Sequence, residues 1–276
     1  MKDTKCVEFL CWALPRLELH WPGFRRVRRQ VCKRIEARTQ ALGLTGATAY
    51  QAYLENHPDE WPVLDSLCRI TISRFCRDRQ LFAALGTRVL PLLAARAVEV
   101  NAGPLKLWST GCASGEEAYT LAMLWEFQIR PSYPQLAASI LATDADPALL
   151  ARAACGCYSS GSLKELPADW RARAFTRDGD MLCVRNEYRH SVAFREQDIR
   201  TVMPEGPFHL ILCRNLAFTY FAPPLQGKIA ERLLPRLVPG GALVIGAHER
   251  LPAEISDANP CLGASGVYQR SISLAP

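Results

Sequence analysis

Residues 107–127 read LWSTGCASGEEAYTLAMLWEF. An apolar run from Leu105 to Ser109 meets a short turn with glycine at 111 and 115, and a helical pattern follows to about residue 128. Strand, glycine turn and helix in that order open a βα unit, and the glycines let a ligand approach the backbone with no Cβ in the way. Turns of this kind ordinarily cradle a phosphate at the helix N-terminus. Here the spacing is G-x-x-x-G, not the dinucleotide G-x-G-x-x-G, and the helix begins with Glu116 and Glu117. One carboxylate stabilises the helix start through the macrodipole. The other repels a phosphate and attracts a cation.

Downstream, short apolar runs alternate with helical ones. After the opening unit come SILATD (139–144) with DPALLARAA, then SVAF (191–194), FHLILC (208–213) with PLQGKIAERLLPRLV, and GALVIGA (241–247). This alternation predicts an α/β fold, a doubly wound and mostly parallel sheet, with GVYQRSIS (266–273) as an antiparallel edge. Upstream the pattern is helical only: a basic helix ending near residue 42, then 47–56, 60–70 and 78–98. The expected organisation is a helical region over 1–100 and an α/β domain over 101–276, with a short β excursion around 176–194.

In an open α/β sheet the ligand lies beyond the carboxyl ends of the strands. The expected strand ends are Gly111 to Gly115, Asp144, Asp198, Arg214-Asn215 and His248-Glu249, polar at every position. Asp144 is placed to accept hydrogen bonds from a ribose diol. A ribose, an amino group and a positively charged sulfur together describe S-adenosylmethionine, which these residues favour over a nicotinamide dinucleotide.

Composition sets outer bounds. With 276 residues, 49% of them hydrophobic, the chain can bury a full core. No run approaches 18 consecutive apolar residues, so no membrane insertion is expected, and the charged start MKDTKCVEFLCWALPRLELH is read as folded protein, not a signal peptide. The eleven cysteines include no C-x-x-C pair, only Cys155-Gly156-Cys157. Free thiols in a reducing cytoplasm, and no metal site, are expected. The net charge of +6 is concentrated in RRVRRQVCKRIEAR (25–38), with seven basic side chains and one acid. Val27, Val31, Ile35 and Leu42 make one face apolar, leaving Arg25, Arg28, Arg29 and Lys33 on the others. That is either a solvated face or a docking face for an acidic partner, protein or nucleic acid.

WSTGCASGEEAYTLAM resembles the first motif of the CheR-type chemotaxis receptor glutamate methyltransferases. The resemblance continues in RIEARTQALGLTGATAYQAYLEN, TISRFCRD (71–78), ILATDADPALLARAACGCY (140–158), FHLILCRN (208–215) and LPRLVPGGALVIGAHE (234–249), in order over nearly the whole chain. It implies a helical N-terminal domain, a class I methyltransferase domain with an inserted β subdomain, and methyl transfer from S-adenosylmethionine to receptor glutamates, leaving S-adenosylhomocysteine. It further implies that Thr71, Ser73 and Arg77 hold the cofactor, that Glu117 faces its amino group and Asp144 its ribose, that Asp198 and Ile199 flank the adenine, and that Arg214 and Asn215 lie beneath. The basic helix matches the family's receptor-docking helix, which favours the cytoplasmic domain of a chemoreceptor over nucleic acid as partner.

A glutamate carboxyl, with a reference pKa of about 4.3, is already an anionic nucleophile at neutral pH, so no general base is required. The site must align oxygen, methyl carbon and sulfur at about 3–3.5 Å and exclude water. Arg77 is the expected clamp for the acceptor, since a guanidinium holds a carboxylate bidentately; an ion pair with Asp78 or Glu60 is its alternative. The family's R-N-x-x-I-Y-F becomes Arg214-Asn215-Leu-Ala-Phe218-Thr219-Tyr220-Phe221, one residue longer. Tyr220 reaches the methyl through a bulge, or Phe218 or Thr219 takes its place. Two other functions stay open: methyl transfer to a small molecule or peptide, and a non-catalytic module that binds cofactor and signals through the basic helix.

Overall fold

The computed structural model describes residues 3–101, 103–261 and 263–272. The chain forms two compact units, one running to Thr71 and taking in Leu216–Gln226, the other comprising Ile72–Asn215 and the chain from Gly227 onward.

The smaller unit is helical, with helices Asp3–Ala13, Trp21–Phe24, Arg28–Ala41, Gly46–Asn56 and Trp61–Cys68. The basic helix begins at Arg28 and buries Val31, Ile35 and Thr39, while Gly43 ends it at φ 68°. That left-handed conformation suits glycine just past a helix end. Arg28, Arg34 and Arg38 of this helix bond within the unit, Arg28 to Asp3. Arg38 meets the buried Glu60 through two bonds of 2.9 and 2.7 Å, with the Tyr50 hydroxyl donating to the same carboxylate at 2.7 Å. Arg34 donates to the carbonyls of Leu67 and Arg69. The segment 216–226 pairs with the chain near residue 20: Leu19 and Phe221 form an antiparallel bridge, and His20 N–H donates to Tyr220 O at 2.7 Å.

The larger unit holds strands β1 (Leu105–Thr110), β2 (Ala138–Asp144), β3 (Cys157–Ser159), β4 (Phe175–Asp178), β5 (Met181–Val184), β6 (Val192–Glu196), β7 (Phe208–Leu212), β8 (Leu237–Val244), β9 (Ala258–Pro260) and β10 (Val267–Arg270). Seven of these form one sheet in the order β6-β2-β1-β7-β8-β10-β9. Strands β6 to β8 along that order are parallel, and β10 and β9 close the edge antiparallel. The order reverses direction at β1, so the glycine turn after it stands at the switch point. Both faces of β1 and β7 are covered, which is why Leu107, Trp108, Leu210 and Leu212 are all buried. Each such side chain contributes roughly 1.5–3 kcal/mol by burial.

Helix Arg79–Glu99 is, among the described residues, the one helix long and apolar enough to cross a membrane by length and composition. Half of it is buried, and Leu81, Phe82, Leu85, Leu90 and Leu93 belong to the core of this unit.

The structure departs from the sequence reading in its strands and its cysteines. The β excursion is a three-stranded sheet, β3-β5-β4, that starts earlier, at Cys157. Strand β9 was not expected. Four cysteines are paired, not free: Cys6 with Cys32, on neighbouring helices, and Cys157 with Cys183, directly opposed in the β3–β5 ladder. Each pair is 26 residues apart in sequence, a separation no short motif reveals.

Candidate functional site

The turn after β1 is made by left-handed backbone at Gly111 (φ 66°), Ala113 (φ 49°) and Gly115 (φ 88°). A Cβ at Gly115 would lie 2.9 Å from Ala153 Cβ and 3.1 Å from Phe194 Cζ, so the glycine there serves the chain's own packing as well as the turn. Helix Glu116–Leu124 follows directly. Its two acids part company. Glu116 is buried and accepts from the Ser114 hydroxyl at about the length of an ordinary bond, 3.0 Å. Glu117 accepts from Ser109 Oγ at 2.8 Å and from Arg214 Nη1 at 2.6 Å.

Asp144, at the end of β2, clasps the two neighbouring turns. Its carboxylate accepts from Ala113 N–H at 2.8 Å and from Asp146 N–H at 3.0 Å. Asp146 in turn caps helix Pro147–Cys155 through Ala148 and Leu149 N–H. The glycine turn and the β2 end are therefore one rigid piece. Between them, the Cys112 thiol is buried; desolvation first, then the charges of Asp144 and Glu117, push its pKa well above the usual range.

Arg214, just past β7, has a side chain only 2% exposed. Besides Glu117 it donates to Asp78 Oδ2 at 2.6 Å and to the carbonyl of Arg77 at 2.9 Å. Two carboxylates thus face one guanidinium, and Asp144 and Glu116 add further negative charge on the adjoining turns. A site so composed attracts a cation. The Arg77 guanidinium bonds the Ile72 carbonyl at 2.8 Å. Neither acid considered as its ion-pair partner takes that role: Asp78 meets Arg214, and Glu60 meets Arg38.

Asn215 is also left-handed (φ 52°), as are Cys76 (φ 52°) and Asp78 (φ 67°). With Ala113, these make four of the six non-glycine residues with positive φ among the described residues. Each costs on the order of 1 kcal/mol and persists only where its surroundings impose it, as at ligand sites.

At the end of β6, Asp198 is bound by Arg200, whose Nη2 stands 2.6 Å from Oδ2, and Ile199 is buried. Gln197 N–H donates to Asp144 O, linking this end to β2. Of the expected residues, Glu117 and Arg214 are bonded directly, with the Arg77 carbonyl as a further partner of Arg214, while Gly111 and Gly115 shape the turn whose Ala113 N–H is held by Asp144. Asn215 and Asp198 stand at the neighbouring strand ends, and Ser73 lies in the irregular segment 69–74.

Thr71 and Tyr220 belong to the helical unit. Tyr220 closes a helical turn, Ala217–Tyr220, and its ring meets Phe24 edge-on at 5.2 Å. Of the basic residues expected to meet a partner, Arg25, Arg29 and Lys33 are exposed, whereas Arg28 donates to Asp3. Sequence reasoning missed Asp78 and Ser109 as partners of the site, and left Glu249 without a role. The signal for Glu249 was its place after β8, where His248 is exposed and Glu249 buried.

These residues fit S-adenosylmethionine. The acid surplus suits its ammonium and sulfonium. Two buried polar atoms, Arg214 Nε and Gln197 Oε1, have no hydrogen-bond partner among the described residues, and they follow the carboxyl ends of β7 and β6.

A seven-stranded sheet in this order, with acidic ends at β1 and β2, is that of a class I S-adenosylmethionine-dependent methyltransferase. The CheR methyltransferase SAM-binding domain matches residues 71–266. The chain is 38% identical over 186 residues to the chemotaxis protein methyltransferase of Listeria monocytogenes, covering 67% of this chain and 68% of that one. It is 30% identical over 233 residues to the chemotaxis protein methyltransferase of Klebsiella aerogenes, covering 80% and 75%. Among solved structures it is similar to an RNA methyltransferase from Salinibacter ruber in complex with S-adenosyl-L-homocysteine, with TM-score 0.35 and 14% identity over 67% of this chain and 93% of that one. The chain belongs to the CheR methyltransferase family, and its cofactor is S-adenosylmethionine.

Proposed function

We propose that this protein methylates glutamate side chains on the cytoplasmic domain of a chemoreceptor-like signalling protein, and that it acts in the cytoplasm. The observation that carries the reading is the Asp78–Arg214–Glu117 group beside Asp144, an anionic site at the switch point of the sheet. The relatives named chemotaxis protein methyltransferases support the choice of acceptor.

Bound S-adenosylmethionine supplies a methyl carbon activated by its positive sulfur. Glu117, braced by Ser109 and Arg214, accepts from the amino group, and Asp144 from the ribose. Asp198, Ile199 and Asn215 serve the adenosine, Gly111 and Gly115 shape the turn beneath it, and Thr71, Ser73 and Arg77 complete the cofactor's surroundings. Arg214 acts through Glu117 by holding its carboxylate. Arg77, with Tyr220, orients the acceptor carboxylate. The acceptor carboxylate would already be anionic at neutral pH, so no residue of this chain would need to act as a base toward the methyl group that the cofactor supplies. Arg25, Arg29 and Lys33, with Arg28 beside them, receive the acidic partner.

Calorimetry of the full chain with S-adenosylhomocysteine, then transfer of labelled methyl to a receptor cytoplasmic fragment, tests the reading. Micromolar binding and a base-labile methyl ester on glutamate are expected. Binding without ester formation on receptor fragments would move the acceptor elsewhere, and a folded protein that binds neither S-adenosylmethionine nor its product would end the reading.

A further inference from the structure

Glu249 is buried, yet it lies outside the group of residues that would touch the cofactor. Its Oε2 accepts from Asn215 N–H at 2.9 Å and from Gly246 N–H at 2.5 Å, and its own N–H returns to Gly246 O at 2.9 Å. One carboxylate oxygen therefore joins the turn after β7 to the turn after β8. Gly246 is the seat of this arrangement. A Cβ there would lie 2.8 Å from Glu249 Oε2 and 3.0 Å from Asn215 Oδ1. Both side chains rest against the bare Cα.

Asn215 sits at φ 52°, a left-handed conformation that asparagine adopts more readily than other non-glycine residues. The bond from its N–H to Glu249 anchors the chain in that conformation. A backbone N–H bonded to an ionised carboxylate makes a charge-assisted bond, roughly twice as strong as a neutral one. The residue before Asn215 is Arg214, whose guanidinium reaches Asp78 and Glu117. The direction in which the chain leaves β7 decides where both side chains go.

We infer that Glu249, seated on Gly246, is a positioning residue: it sets the Arg214–Asn215 turn, and through it the placement of Asn215 and of the Glu117 carboxylate for the cofactor. The inference rests on the reading of this site as the S-adenosylmethionine site.

The test uses the full-length Glu249→Ala, Glu249→Gln and Gly246→Ala proteins, with S-adenosylhomocysteine affinity measured by calorimetry well below each melting temperature. Glutamine keeps an oxygen that can accept both N–H bonds; alanine keeps none. A loss of about tenfold or more is expected for Glu249→Ala, with Glu249→Gln within about threefold of the parent. A purely structural role would lower the melting temperature of Glu249→Ala and leave its affinity unchanged, and that result overturns the inference. Should Glu249→Ala not fold, Gly246→Ala decides: the methyl displaces Asn215 and Glu249 together, so weakened binding supports the inference and parental affinity overturns it. A parent protein that fails to bind would sink the cofactor site itself, whereas a binding parent with an indifferent Glu249→Ala sinks only this role.

Discussion

Arg214 Nη1 stands 2.6 Å from Glu117 Oε2, and that bond ties the end of β7 to the first turn of the helix after β1. Ninety-seven residues separate the pair. The same guanidinium takes Asp78 at 2.6 Å, so three chain segments meet on one buried cation.

Removing that cation should destabilise the fold. Arg214→Met leaves the carboxylates of Glu117 and Asp78 facing each other without compensation, and a stability loss of about 3–5 kcal/mol is expected by chemical denaturation. Glu117→Gln, which keeps size and one acceptor and leaves Asp78 to compensate the cation, should cost less stability than Arg214→Met and weaken S-adenosylhomocysteine by about ten- to a hundredfold. Equal affinity in Glu117→Gln would remove Glu117 from the ligand's contacts.

The helical unit offers a contrasting case. The Arg38 bond, and then the Tyr50 hydroxyl, hold the Glu60 carboxyl below its ordinary pKa against the opposing effect of burial. A carboxyl lowered on folding adds stability that is complete above its unfolded pKa, about 4.3, and is lost as pH falls through the folded value. Glu60→Gln should cost roughly 1–3 kcal/mol at pH 7 and flatten the acid limb of the denaturation curve below pH 4.5. An unchanged acid limb would show that other carboxylates govern it.

His209 gives a second pH window. Its Nδ1 accepts from the Lys106 backbone N–H at 3.0 Å, and burial, then the Lys106 charge, lowers its pKa from the ordinary 6.5. The folded state thus prefers the neutral ring. Stability from this residue is complete above about pH 6.5 and falls as pH drops from there toward the folded value. His209→Gln, which retains an acceptor, should lose part of the slope between pH 6.5 and 5 in a melting series. A parent and variant with the same slope would exclude His209 as its source.

Thiol labelling reports the cysteine arrangement. Cys11 and Cys155 are exposed and should react first in the native protein under non-reducing conditions. Cys68 and Cys76 are buried, their pKa values pushed up to about 12 and about 11 chiefly by desolvation, and should react only on unfolding. Peptide mapping should recover Cys6 linked to Cys32 and Cys157 linked to Cys183. Full labelling of all eleven without reductant would show those four to be thiols.

The local features of this protein were readable because local chemistry makes them. Glycine at 111 and 115 next to an apolar strand announced the turn, and Asp144 announced itself as the polar end of an apolar run. The α/β alternation followed from runs of four to eight residues whose pattern needs no partner to be seen. What stayed hidden depends on distant pairings. Glu117 and Asp78 become partners of Arg214 only when β7 lies beside β1, and no spacing rule spans 97 or 136 positions. The cysteine pairs and the buried turn at Glu249 belong to the same class. Tyr220 was legible as a residue, but the helical turn that carries it was not, because Ala217–Tyr220 is too short to show a helical period.

The segment 216–226 has a consequence for how the polypeptide leaves the ribosome. Helices up to Cys68 are synthesised first, yet the unit they form takes its last piece, with Phe221 against Leu19 and Tyr220 against His20, only after about 150 further residues. Closing so long a loop is entropically expensive and slow relative to local helix formation. The amino-terminal unit therefore lacks its last piece while β1 to β7 are made, and the larger unit still awaits β8 to β10 after that piece has arrived. A chain released before residue 226 would lack part of each.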